Sequence, residues 1–356
     1  VSTFSGIVER SWSGNRLFSV LLELTYRCNL DCFFCYNDLG LRGKPLTFEQ
    51  YAALLRDLAS MNVLTVVLSG GEPLAHPDFF RIGALARELG FMVRVKSNGH
   101  ALRGELARRL RDEVDPFIIE VSLHGAIAET HDRQTRVPGS FSRLIDNIRE
   151  MLLLGLRVKV NSTLTSWNES EAEAMYALTD SLGVPLRFDL QVSPRDDGNR
   201  EPLQVAATPD GIRELMRIDD ARYRAAYGER DAAQEQRRPV VDEVMPATAD
   251  KHCGAGSAGI AIDPYGNIYP CVQWRRAVAN LHERSVAELW GHSRELDVVR
   301  GETVAARGVV AAHPNGALLN FCPGLAEVLT GSPTKVPAEL ERHAAIVSAA
   351  IDAAAR

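Results

Sequence analysis

Residues 18–36 read FSVLLELTYRCNLDCFFCY. The run 18–24 has the length and composition of a strand, and Cys28, Cys32 and Cys35 follow it almost at once. That spacing lets one loop gather three thiolates around one metal centre. Three ligands leave one iron of a cubane cluster open to a substrate or cofactor, whereas a structural zinc site needs a fourth ligand to close its tetrahedron. On spacing alone, a zinc or redox-thiol reading of the triplet stays open.

Outward from that loop, five more runs have strand character: VLTVVLS (63–69), MVRVKS (92–97), FIIEVS (117–122), RVKVNSTL (157–164) and PLRFDLQV (185–192). The segments between them repeat at helical spacing. In 47–61 the apolar positions are Tyr51, Leu54, Leu55 and Leu58, and Thr47 with Gln50 predicts a capping box. Strand and helix in strict alternation need crossover connections, which predicts an α/β fold with a parallel sheet and a ligand site at the strands' carboxyl ends. Six units predict a partial (β/α)6 TIM-like barrel instead of a closed one of eight.

Beyond the sixth run the pattern breaks. PRDDGNREPL (194–203) is turn-rich, and 210–238 is a charged helical stretch with little apolar periodicity, read as a connector. A smaller region follows, in which GIAIDPYGNIYPC (259–271) places two short strands around a hairpin-like turn at Pro264 to Asn267. The Ala-rich tail sets Leu340, Ala344, Val347 and Ile351 on one face of a docked terminal helix. The expected division is an N-terminal segment at 1–17, the barrel at 18–193, a connector at 194–250, a second domain at 251–333 and a C-terminal helix at 334–356.

The 356 residues suffice for one large domain and a small one. Lys plus Arg number 40 against 46 Asp plus Glu, so no basic excess favours a nucleic-acid partner. No apolar run approaches the roughly 18 residues of a membrane span, and the start lacks the order of an export signal, so a cytoplasmic protein is expected. Six cysteines are too few for a secreted disulfide scaffold. They divide into the close triplet and the dispersed Cys253, Cys271 and Cys322.

The loop CNLDCFFCY resembles the signature of the radical S-adenosylmethionine superfamily, including Phe34, the aromatic residue before the third cysteine. Ser69-Gly70-Gly71-Glu72-Pro73 ends the second predicted strand as that superfamily's glycine-rich motif does. Ser97-Asn98-Gly99 and Ser122-Leu123-His124-Gly125 end the next two. Taken singly, each is an ordinary strand-ending loop; all four in order at strand ends carry the resemblance.

The resemblance implies that Cys28, Cys32 and Cys35 bind a 4Fe-4S cluster whose open iron chelates the amino and carboxylate groups of S-adenosylmethionine. Phe34, Gly70, Gly71, Glu72, Pro73, Ser97, Asn98 and Ser122 are the implied cofactor-binding residues, with Glu72 near the amino group. Arg136, or else Arg133, would pair the carboxylate. One-electron reduction then yields a 5′-deoxyadenosyl radical that takes hydrogen from substrate.

The segment CGAGSAGIAIDPYGNIYPC (253–271) resembles the SPASM/twitch-type extension of peptide-modifying and sulfatase-maturing members. A full extension uses seven cysteines; Cys253, Cys271 and Cys322 support one auxiliary iron–sulfur cluster at most. The alternative is a metal-free packing module with buried thiols. Val272 after Cys271, where sulfatase-maturing relatives place an aspartate, counts against that activity. Asp189 is the one catalytic candidate, against an equal expectation that it pairs with Arg187 or Arg195; His124 and His131 are read as loop-packing or solvated.

The function these features imply is modification of a ribosomally made precursor peptide by crosslink, epimerisation or oxidation. The short segment before the first strand leaves no room for a fused leader-binding domain, so a separate leader-binding protein or direct recognition is expected. A flavodoxin- or ferredoxin-type electron donor is also expected. The alternatives are a small-molecule enzyme, acting on a tetrapyrrole side chain or an alcohol, and a non-catalytic metal-binding scaffold.

Overall fold

The computed structural model describes residues 4–38, 40–228 and 250–354. Six parallel strands, β1 (Ser19–Glu23), β2 (Thr65–Ser69), β3 (Met92–Ser97), β4 (Ile118–Ser122), β5 (Val158–Thr163) and β6 (Leu186–Asp189), are joined in sequence order by helical crossovers. Each falls within a run expected to be a strand. The sixth stops three residues early, because the Gln191 backbone N–H donates to Asp189 Oδ1 at 2.9 Å and turns the chain out of the sheet.

Alternation explains the two faces. Val20, Leu22, Val66, Leu68, Val93, Val95, Ile119, Val121 and Val160 are buried under the helices, while the intervening residues face the inside of the curved sheet. The helix Phe48–Ser60 shows how a crossover is fixed. Thr47 and Gln50 form the expected capping box, and Tyr51, Leu54, Leu55 and Leu58 are buried. Burying each such leucine contributes roughly 1.5–3 kcal/mol, so the apolar stripe outweighs the cap in holding the helix to the sheet.

The cysteine-rich region does not build a sheet of its own. Its strand β7 (Gly259–Ile262) pairs parallel with β1, from Ser19 opposite Gly259 to Leu22 opposite Ile262. The antiparallel strands β8 (Asn267–Tyr269) and β9 (Ala279–Asn280) then extend the same sheet to nine. Asp263 closes the expected turn by accepting from the N–H groups of Tyr265 and Asn267.

Several elements differ from the expectation. A helix, Phe4–Ser13, occupies the N-terminal segment, and its Trp12 carbonyl accepts from Lys251 Nζ at 2.8 Å. The connector helix Pro209–Tyr227 does have an apolar stripe, with Ile212, Leu215 and Ile218 buried. Residues 229–238 of the expected connector helix lie outside the described residues. Two helices with no counterpart in the sequence reading, Val286–His292 and Arg294–Ala312, start at the capping serines Ser285 and Ser293. In the terminal helix Ala338–Ala354, Leu340, Ala344 and Val347 are buried, while the Ile351 side chain lies outside the described residues. Among the described residues no helix is long and apolar enough to cross a membrane.

Candidate active site

The strands' carboxyl ends surround a cavity of about 1300 Å³. Cys28, Cys32, Phe34 and Cys35 line one wall, and Ser97, Asn98 and Ser122 stand at the strand ends beside them. The cysteine loop is pinned from two sides. Asp31 and Phe33 donate backbone N–H groups to the carbonyls of Thr135 and Gln134, at 3.1 and 3.0 Å. On the other side Gly71 and Glu72 donate theirs to Thr25 and Arg27, which carries the β1–β2 pairing on into the loop.

That second seam explains the double glycine. Gly70 has φ +127°, and a Cβ there would lie 2.4 Å from the Thr25 carbonyl oxygen; one on Gly71 would lie 2.7 Å from those of Tyr26 and Arg27. The glycines therefore let two backbones touch, which fixes the start of the cysteine loop.

Burial pushes the thiols of Cys28, Cys32 and Cys35 up from their ordinary value, and at Cys32 the charges of Cys35 and Cys28 add to the effect. Three neighbouring thiols that repel one another as thiolates suit a cationic iron cluster, which offsets that repulsion. Among the described residues no three His, Cys, Asp or Glu side chains stand close enough to hold a single metal ion. A cluster places one thiolate on each iron and needs no such convergence.

Glu72 is 3% exposed, and its carboxylate is turned to the end of β3. It accepts from Ser97 Oγ at 2.9 and 3.0 Å, from the Asn98 N–H at 2.8 Å and from the Leu74 N–H at 3.2 Å. Burial pushes its carboxyl up to about 7, against those hydrogen bonds. Asn98 carries the link onward, donating to Asn29 Oδ1 at 2.8 Å and to Cys28 Sγ at 3.6 Å. Glu72 thus buttresses the cysteine loop through Asn98, and Pro73 beside it is buried. Phe34 packs edge-on against His124, with ring centroids 4.7 Å apart. His124 and His131 are both buried, and His131 Nδ1 accepts from the His124 N–H at 3.0 Å.

Arg136 stands outside the cavity wall. Its guanidinium lies over Phe33 at 5.0 Å and pairs with Asp31 at 3.4 Å, while Arg133 lies over Trp167 at 4.1 Å. Asp189 lines the cavity mouth. Arg195 pairs with Glu201, at 3.6 Å.

The dispersed cysteines are near enough for the charges of Cys322 and Cys253 to act on Cys271. Cys253 precedes β7 and Cys271 follows β8, while Cys322 caps the helix Pro323–Thr330, its Sγ accepting from the Leu325 N–H at 3.5 Å. Burial, then the charges of Cys322 and Cys253, push the Cys271 thiol up. Cys322, alone of this second set, also lines the large cavity bordered by the first set.

Two groups of residues escaped the sequence reading. One is the charged inner face of β3 to β5, with Arg94, Lys96, Glu120 and Lys159, joined on β6 by Arg187, expected only as a partner of Asp189. The other is Arg275, four residues after Cys271, buried against Glu23 at the end of β1.

The geometry is that of a radical S-adenosylmethionine enzyme, and the chain belongs to that family. The Radical SAM superfamily model matches residues 22–179, and a model of an iron–sulfur cluster-binding domain, SPASM, matches 253–309. Its cofactors are therefore S-adenosylmethionine and iron–sulfur clusters. Among its relatives is the PqqA peptide cyclase of Streptomyces rochei, 30% identical over 297 residues, covering 79% of this chain and 78% of the relative. Another is the AdoMet-dependent heme synthase of Methanosarcina barkeri, 26% identical over 291 residues, covering 78% and 83%. A solved structure of native anSMEcpe with bound AdoMet shares the fold, with a TM-score of 0.66 at 14% identity, over 94% of this chain and 99% of that one.

Proposed function

We propose that this enzyme modifies a peptide within the cavity between its two cysteine sets. The observation that carries the reading is the shared space: Cys28, Cys32 and Cys35 border it on one side and Cys322 on another. The cavity of about 1300 Å³ has to hold the cluster and S-adenosylmethionine as well as the substrate, so all three share one space. The similarity to a peptide cyclase supports the same choice. The rival substrate is a tetrapyrrole, supported by the heme synthase relative.

In this reading the barrel spans 18–193 and the auxiliary domain 251–333. Cys28, Cys32 and Cys35 hold a 4Fe-4S cluster, and Cys253, Cys271 and Cys322 hold one auxiliary cluster. S-adenosylmethionine on the reduced first cluster supplies a 5′-deoxyadenosyl radical able to take hydrogen from an unactivated carbon. The chain's own work is positioning and exclusion of water. The Gly70-Gly71 seam and the Glu72–Ser97–Asn98 buttress fix the cysteine loop, while Phe34 and Ser122 face the cofactor. Arg136 would have to leave Asp31 to reach the cofactor carboxylate. An electron donor of flavodoxin or ferredoxin type, a separate leader-binding protein and a cytoplasmic setting complete the proposal.

The test uses anaerobically reconstituted enzyme with S-adenosylmethionine and a reductant. Short peptides encoded beside its gene are incubated with it, and coproporphyrin III in parallel. A mass change in a peptide and none in the porphyrin is expected; the reverse would overturn the peptide reading.

A further inference from the structure

The inner face of the barrel is charged. Arg94 and Lys96 on β3, Lys159 on β5 and Arg187 on β6 all line it, against the carboxylates Glu120 and Asp189. Sheet register orders them into layers. Lys96, Glu120 and Lys159 are cross-strand neighbours, and one layer nearer the mouth stand Ser122, Asn161 and Arg187.

Both carboxylates are engaged within the chain. Glu120 is buried and accepts from Arg94 and, at 3.0 Å, from Asn161 Nδ2. Burial pushes its carboxyl up, but Lys96 and then Arg94 outweigh that and hold it below the ordinary value. Asp189 Oδ1 accepts the Gln191 N–H that ends β6. Among the described residues Lys96 makes no side-chain hydrogen bond, though its charge acts on the neighbouring Glu120, and Arg187 makes no side-chain hydrogen bond or ion pair.

The cofactors supply only part of the counter-charge. A two-plus cluster on three thiolates carries one net negative charge, and S-adenosylmethionine chelated through an unprotonated amine and its carboxylate adds none, so the bound pair offers one negative charge against the two cations. Cations directed into a space from which substrate expels water need an anionic partner. We propose that the part of the substrate entering the barrel carries a carboxylate, and that Lys96 and Arg187 receive it. This rests on the cavity being the radical site. The carboxylate is held level with Ser122, below the mouth marked by Asp189, which fixes how deep the substrate enters. It can be a peptide's glutamate side chain or a porphyrin propionate, since the recognition chemistry is shared.

Two probe pairs separate these sources: acetyl-Ala-Ala-Glu-amide against acetyl-Ala-Ala-Gln-amide, and coproporphyrin III against its tetramethyl ester. Binding is measured anaerobically to reconstituted enzyme with S-adenosylmethionine, in wild type, Lys96→Met, Arg187→Met and the double variant. Cofactor affinity and iron content are read on the same samples. One acid probe is expected to bind wild type at least about tenfold more tightly than its neutral partner, and the double variant to lose that preference. Equal binding of acid and neutral forms, or no binding of either acid at millimolar concentration, would overturn the proposal. So would a fall in cofactor affinity with the acid preference intact, because the cations would then hold the cofactor's own carboxylate. Wild type that takes up iron yet binds no S-adenosylmethionine would instead overturn the underlying reading of the cavity, and this proposal with it.

Discussion

Arg275→Met tests what holds the auxiliary region to the barrel. Arg275 is 8% exposed and forms two 2.8 Å hydrogen bonds to Glu23, which is 0% exposed. Its Nε also stands 2.9 Å from Asp196 Oδ2, at ion-pair distance but off the hydrogen-bond line. Asp196 in turn donates its backbone N–H to the carbonyl of Tyr36, next to Cys35, and Tyr26 donates its hydroxyl to Glu23. One guanidinium thus joins β1, the cysteine loop and the chain after Cys271. Methionine keeps much of the volume but leaves Glu23 buried without its cation. Breaking a buried pair this way costs about 3–5 kcal/mol, several times the worth of an exposed pair. Urea unfolding of the reduced apoprotein gives the number. Adding Glu23→Gln to Arg275→Met should recover about 1–3 kcal/mol, because the stranded charge is then gone. A loss under about 1 kcal/mol in the single variant, or strict additivity in the double, would refute the reasoning.

Glu72→Gln should destabilise the apoprotein by about 1–3 kcal/mol before any cofactor is added, since one amide oxygen cannot serve all the donors the carboxylate serves. An unchanged apoprotein with weakened S-adenosylmethionine binding would place the carboxylate on the cofactor instead. The raised carboxyl, about 7 in the folded chain, means that Glu72 keeps its proton longer when folded. Its contribution to stability therefore falls as pH rises through roughly 4.5 to 7, and Glu72→Gln should flatten that slope in urea titrations. His131 carries the opposite sign. It is 1% exposed, and burial lowers it to about 4, so the unfolded chain binds a proton that the folded chain refuses. Stability should drop by about 2 kcal/mol between pH 7 and 5 on its account. His131→Gln, which keeps an acceptor for the His124 N–H, should remove most of that drop, and a slope equal to wild type would contradict the assignment.

How far the sequence could be read depended on whether the cause was local. Strand runs, the Thr47 cap and the order of strand-end motifs depend on neighbouring residues, and these matched the structure closely. The alternation in MVRVKS and RVKVNS marked an apolar and a polar face. Only the curvature of the sheet shows that the polar face lines a cavity, which is why Lys96 went unread and Arg187 was expected only as a partner of Asp189. Arg275 and Glu23 meet because β7 joins β1, and no local pattern announces a pairing between such distant segments. The Gly70-Gly71-Glu72 motif was legible as a motif. Its glutamate's direction was not, because it is set by Ser97 and Asn98 on the next strand.

The central claim is that the loop carrying Cys28, Cys32 and Cys35 makes this chain cleave S-adenosylmethionine reductively. The direct measurement is 5′-deoxyadenosine and methionine formed by anaerobically reconstituted protein with dithionite, for wild type and for the variant with Cys28→Ala, Cys32→Ala and Cys35→Ala combined. The account predicts formation of both products by wild type and none by the variant. Equal product from the variant, or none from iron-loaded wild type, would contradict it.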